Sequence, residues 1–169
     1  MQPKAENYTE QSWAVILSAQ ELAKQRCHQN IETEHLLMSL ITKNQFTLEI
    51  ISKAGGSIND LKDNLDSFIS NQPKLQDSPN TTYIGRYLNQ TLEDACNVKT
   101  SFGDSFIAIE HLLLALFKDN RCCKSELVKA NIQEEKVKNA IKIIRGNAKV
   151  KSQNQESTYD SLSKYGRDL

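Results

Sequence analysis

Apolar residues recur at three- and four-residue spacing through most of this chain, on one face of each segment. In residues 9–27, Trp13, Ile16 and Ala23 keep one register while Val15, Ala19 and Leu22 widen the stripe, which predicts an amphipathic helix. A second helix follows through Leu36, Leu37, Leu40 and Ile41, with Thr33 placed to accept a backbone N–H as its N-cap. Residues 46–53 make a short third helix, stopped at Gly55-Gly56 because glycine takes the left-handed C′ conformation without a Cβ clash. Ser57-Ile58-Asn59-Asp60 resembles a capping box with Asp where Glu is usual, and opens a fourth helix on Ile58, Leu61, Leu65 and Phe68.

The same plan is then written again. Glu34-His35-Leu36-Leu37 returns as Glu110-His111-Leu112-Leu113, an offset of 76 residues. That offset carries Ile16 to Leu92, Ala19 to Ala95, Ile31 to Ile107, Leu40 to Leu116, Leu61 to Val137 and Leu65 to Ile141 without a gap. Two copies of a supersecondary unit bury their apolar faces against themselves and each other. The expected fold is therefore all-α: two tandem, pseudo-twofold-related four-helix repeats forming one globular domain. Its parts are an N-terminal tail at 1–8, repeat 1 at 9–72, a linker at 73–83 marked by Pro73, Asp77, Ser78 and Pro79, and repeat 2 at 84–146. Residues 147–169, rich in Lys, Gln, Asn and Ser, read as a flexible tether with little to bury. Arg145, Lys149 and Lys151 read as a solvated helix end and tether. Ile109 stands where Thr33 stands in the first copy, so that helix start needs another acceptor, with Asp104 or water as candidates.

Composition narrows the chemistry. With 169 residues, 38% hydrophobic and 25% charged, the chain can bury a real core. The longest apolar run, 112–117, is far shorter than the roughly 20 residues of a membrane span, and the polar start has no signal-peptide core; no membrane partner and a cytoplasmic location are expected. Lys plus Arg equals Asp plus Glu, 21 of each, so no global basic field gathers nucleic acid. Cys122 and Cys123 are adjacent while Cys27 and Cys96 are isolated, which is no disulfide framework and points to free thiols. The glycines build no phosphate-binding loop. Cys27-His28 and Cys122-Cys123 lack metal-site spacing, and nothing orients a Cys–His nucleophile. Catalytic, metal and cofactor residues are therefore expected to be none in this chain. His35 and His111 hold equivalent places in the two copies, which favours a repeated packing or hydrogen-bond role.

The motif Ile-x-x-Glu-His-Leu-Leu, at 31–37 and again at 107–113, resembles the signature of the N-terminal domain of the Clp class of AAA+ ring unfoldases. The resemblance covers residues 9–146. The chain's end, Lys164-Tyr165-Gly166-Arg167-Asp168-Leu169, is similar to the passage by which ClpB-type disaggregases enter their first ATPase domain, so the chain is expected to be an N-terminal piece of something longer. The resemblance implies a substrate-capture domain for unfolded or aggregated protein. It implies a homohexameric parent that uses ATP and Mg and cooperates with other chaperones. The family's substrate contacts, in a groove between the repeats, fall on Thr9, Leu92, Asp104, Glu110 and His111. His111 departs from the apolar residue common in this branch. Each also has a structural reading: core packing for Leu92, an N-cap for Thr9, a turn or helix cap for Asp104, a dipole partner for Glu110. The alternative function is adaptor-protein docking, as in the ClpA and ClpC branches. A Cys27, His28 or His111 enzyme and a bare spacer are the remaining rivals.

Overall fold

The computed structural model describes residues 2–156, and among them eight α-helices carry the architecture. The first repeat contains α1 (Glu10–Gln25), α2 (Thr33–Lys43), α3 (Gln45–Lys53) and α4 (Ile58–Ser70); the second contains α5 (Arg86–Phe102), α6 (Ile109–Leu116), α7 (Cys123–Lys129) and α8 (Glu134–Arg145). A side-chain N-cap starts three of them. The Thr9 hydroxyl accepts the Ser12 N–H, Asn44 accepts from Thr47, and Ser57 accepts from Asp60. Gly55 and Gly103 take φ of +78° and +74° at the ends of α3 and α5, positions where a side chain would strain the backbone.

One N-cap moves. The cap of α2 is Glu32, not Thr33, and that of α6 is Ala108. The histidine of each motif accepts the N-cap amide: Nδ1 of His35 takes the Glu32 N–H at 2.9 Å, and Nδ1 of His111 takes the Ala108 N–H at 2.8 Å. Histidine thus fills the place of the capping-box glutamate, a repeated hydrogen-bond role of the kind the duplicated motif suggested. Thr33 instead donates its hydroxyl to Asp119 Oδ2 in the other repeat, at 2.6 Å.

Helices α2 and α6 sit at the centre. Every residue of α6 and every residue of α2 from Thr33 to Ile41 is buried, as expected for helices covered on all sides. Around them the contacts come in mated pairs. Helix α1 packs on α2 as α5 packs on α6, and α3 meets α8 across the repeats as α7 meets α4. Two short parallel pairings complete the exchange. Strands β1 (Asn30–Ile31) and β2 (Tyr83–Ile84) pair Ile31 with Ile84, while Tyr8 bridges Ile107. The 76-residue offset turns one pairing into the other. Gly85 N–H donates to Ile31 O at 2.9 Å just as Thr9 N–H donates to Ile107 O at 3.0 Å.

The segment between repeats lies mostly exposed along the first one, tied by Leu75 N–H to Cys27 O and by Ser78 Oγ to Lys24 O. The segment after α8 departs from its expected freedom. Residues 147–156 pack back across the domain, with Val150 and Glu156 fully buried. Ser105 N–H donates to Val150 O, Glu10 N–H to Gln153 O, and Lys149 Nζ to Phe102 O. Hydrogen bonds to loop backbone hold this strap, so an apolar pattern is not needed to order it. The tether and ATPase-entry readings of 157–169 lie outside the described residues.

Candidate functional site

Between the N-terminal segment and α5 of the second repeat lies a depression of about 440 Å³. Tyr8, Leu92 and Ile107 give it an apolar floor, each nearly covered at 4%, 7% and 4% exposure. Lys4, Glu6, Asn89 and Glu93 stand at its polar edge. Tyr8 is held in place by the Ile107 bridge and packs at a tilt against the half-buried Trp13, ring centroids 5.5 Å apart. Burial pushes the Tyr8 hydroxyl up to about 12, so the ring stays neutral.

Of the five residues carried over from the family, Leu92 lines this depression. The other four lie beneath the surface: Thr9, Glu110 and His111 are fully buried and Asp104 nearly so. Three of them meet around Arg145. Its guanidinium is bidentate on Asp104, at 2.9 and 2.7 Å, and stands 3.3 Å from Glu110 Oε2. Asp104 also accepts from His111 Nε2 at 2.7 Å and from the Val150 N–H at 2.9 Å. Since His111 Nδ1 accepts from Ala108, its proton sits on Nε2 and points at Asp104. Burial alone raises a carboxyl, but the bonds from His111, Arg145 and Val150 overcome it and hold Asp104 well below the usual range. Among the described residues the Glu110 carboxylate accepts no hydrogen bond; burial first, and the neighbouring Glu156 second, push its carboxyl up to about 8.

Thr9 joins the group through the strap. Glu156 Oε2 accepts from the Thr9 hydroxyl at 2.6 Å and from the Ile109 N–H at 2.9 Å. The acceptor missing at the start of α6 is therefore Glu156, while Asp104 serves Arg145. Arg145 is likewise no solvated helix end: it is 8% exposed and lies over the Phe102 ring. Sequence reasoning missed both residues. A signal existed for Arg145, because the repeat offset places it opposite Ile69, a fully buried core residue, and a charge in a core position demands a buried partner.

The first repeat answers with a different cluster at the same place. Glu34 is bidentate with Arg121 from the α6–α7 loop, at 2.6 and 3.1 Å. His35 Nε2 faces His28 Nδ1 at 2.9 Å. With His35 Nδ1 occupied by the Glu32 N–H, His35 donates and His28 carries its own proton on Nε2. Burial lowers both rings, His35 to about 4. These groups border an open cleft of about 330 Å³. Nearby, Glu32 Oε1 accepts the Leu88 N–H and so caps α5 across the repeats. A Cβ on Gly85 would fall within 2.4 Å of that carboxylate, so a side chain there would displace Glu32 from its cap.

A duplicated helical unit with reciprocal edge pairings defines a class. The Clp repeat (R) N-terminal domain family matches residues 7–131, and the chain belongs to it. Its relatives are ClpB chaperones: it is 52% identical over its whole length to the chaperone protein ClpB of Prochlorococcus marinus and 44% identical to chaperone protein ClpB 2 of Synechocystis. The chain spans about one fifth of the length of these curated relatives. Among solved structures, the Hsp104 N-terminal domain from Candida albicans superposes with a TM-score of 0.77 at 23% identity, covering 87% of this chain and 97% of that one. A ClpV N-domain in complex with a VipB peptide superposes with a TM-score of 0.67 at 18% identity, covering 85% and 89%. These two likenesses concern the fold.

Proposed function

We propose that this chain is the substrate-capture domain of a ClpB-type disaggregase, holding exposed apolar stretches of unfolded or aggregated protein in the depression floored by Tyr8, Leu92 and Ile107. The observation that carries the reading is that floor: a pre-formed apolar surface, held open by backbone pairing, on a domain 52% identical to that of a ClpB chaperone. That a ClpV N-domain has been solved with a peptide supports it. In this reading Leu92 touches the client. Thr9, Asp104, Glu110 and His111 act from below, by fixing the strap and the start of α6. The parent is a homohexamer driven by ATP and Mg that works with other chaperones in the cytoplasm, and this domain hands its client to that motor.

Capture by such a site is weak, because a disordered client loses chain entropy on a small patch. A dissociation constant on the order of 10 μM or weaker per domain is expected. Several domains on one ring recover retention through effective concentration. Titration with a carboxymethylated, permanently unfolded protein, followed by amide NMR, tests this. Shifts should centre on residues 4–8, 89–99 and 107, and Leu92→Ser should remove them while leaving the circular dichroism spectrum unchanged. Shifts confined to other surfaces would reject the groove, and a Leu92→Ser chain that unfolds would assign the side chain to the core.

A further inference from the structure

The repeats also differ at the notch between the C-terminal ends of their first and fourth helices. In the first repeat Arg26 reaches Asp66 and donates to Ser70 Oγ, bridging the two helix ends. The repeat offset puts Phe102 and Lys142 at the two bridge positions in the second copy, and no such pair can form. What remains is a depression of about 370 Å³, floored by Phe102, Ile141 and Ala148 and rimmed by Lys138, Lys142 and Lys149. With Arg145, four cations and no carboxylate line it among the described residues.

These cations are committed to different degrees. Asp104 holds Arg145, Lys149 Nζ donates to Phe102 O at 2.7 Å, and Lys138 lies 3.6 Å from both Glu134 and Glu135. The Lys142 ammonium has no ion pair or hydrogen bond among the described residues. Cations at the end of α8 do favour its dipole, but a solvated helix end requires no apolar floor beneath them. An apolar surface ringed by one sign of charge matches a ligand that brings both an apolar group and the opposite charge. Nucleic acid fits poorly: the chain has equal numbers of acidic and basic residues, and no run of exposed aromatics interleaves these lysines.

We infer that this notch docks an acidic peptide segment of a partner protein, one aromatic or long aliphatic side chain resting on Phe102 and Ile141 while flanking carboxylates meet Lys138, Lys142 and Lys149. It shares no lining residue with the depression at Leu92, so the two sites stand or fall separately.

The probe is a labelled peptide with Asp and Glu on both sides of a single Phe, titrated into the 169-residue chain by fluorescence anisotropy. A dissociation constant on the order of 10–100 μM is expected, weakening severalfold as salt is raised. Amide shifts should fall on residues 101–102 and 138–149. Reversing two rim charges with Lys138→Glu and Lys142→Glu should weaken binding about tenfold and confer binding of the same peptide with Lys in place of its acids. If the double reversal lowers the melting temperature, Lys142→Gln alone must still weaken binding about threefold. No saturation at millimolar peptide, equal affinity in the charge variants, shifts at Leu92 instead, or preferential binding of oligouridylate would each overturn the assignment.

Discussion

The N-termini of α2 and α6 carry the same Glu-His-Leu-Leu motif, yet one opens onto a cleft and the other is sealed. At α2, Glu34 meets an arginine supplied by a loop of the other repeat, and His35 leans on a second neutral histidine. At α6, Glu110 and His111 are enclosed with Asp104, Arg145 and Glu156 beneath the strap. Duplication preserved the helix start and left its surroundings free to diverge. The motif secures the fold through the Nδ1 of its histidine, while its glutamate takes whatever cation the neighbourhood offers.

The largest test of this contrast is removal of the two arginines. Arg145→Met leaves Asp104 charged and buried without its main partner and should cost about 3–5 kcal/mol. Arg121→Met, whose partner sits beside an open cleft, should cost less, about 1–3 kcal/mol. Urea unfolding measures both, and equal losses would erase the distinction. Next in size, Glu156→Ala removes the acceptor shared by Thr9 and Ile109 and should cost about 1–3 kcal/mol. Hydrogen exchange should then speed up at residues 150–153 and at Ile109 while β1 and β2 keep their protection.

Protonation separates the clusters by sign. Neutral His28 and His35 bind protons less readily folded than unfolded, so their contribution is present above about pH 6.5 and declines as pH falls, that of His35 being lost through about 4. Glu110, raised to about 8, binds its proton more readily folded, so its contribution is full below about pH 4.5 and is lost as pH rises through 8. Urea midpoints of Glu110→Gln should therefore fall less between neutral and alkaline pH than those of the parent, with the acid-side decline unchanged. An unchanged alkaline slope would place the burden on another group. The smallest effect belongs to the half-exposed Arg26–Asp66 pair: Asp66→Ala should shift stability by less than about 1 kcal/mol.

How much of this was legible depended on the kind of force involved. Apolar spacing gave all eight helices, and the register between Ile16 and Leu92 or Leu65 and Ile141 exposed the duplication, because burial by periodic faces leaves a periodic trace. Thr9, Asn44 and Ser57 lie next to the amides they cap, and such local bonds can be read from order alone. Glu156 and Ile109 stand far apart in sequence, and residues 148, 150 and 153 are tied partly through backbone groups that every residue possesses, so composition alone does not distinguish a strap from a tether. Leu92 shows the limit of hydropathy from the other side: a floor residue and a core residue share the same heptad-like position.

The paired bridges, Ile31 to Ile84 and Tyr8 to Ile107, bear on divisibility. Each half completes its edge with a strand borrowed from its sister, so a polypeptide severed near Ser78 yields two pieces with unfilled backbone groups. Neither piece is a self-sufficient module, and co-expressed halves should find each other and reconstitute the whole, as a split protein does.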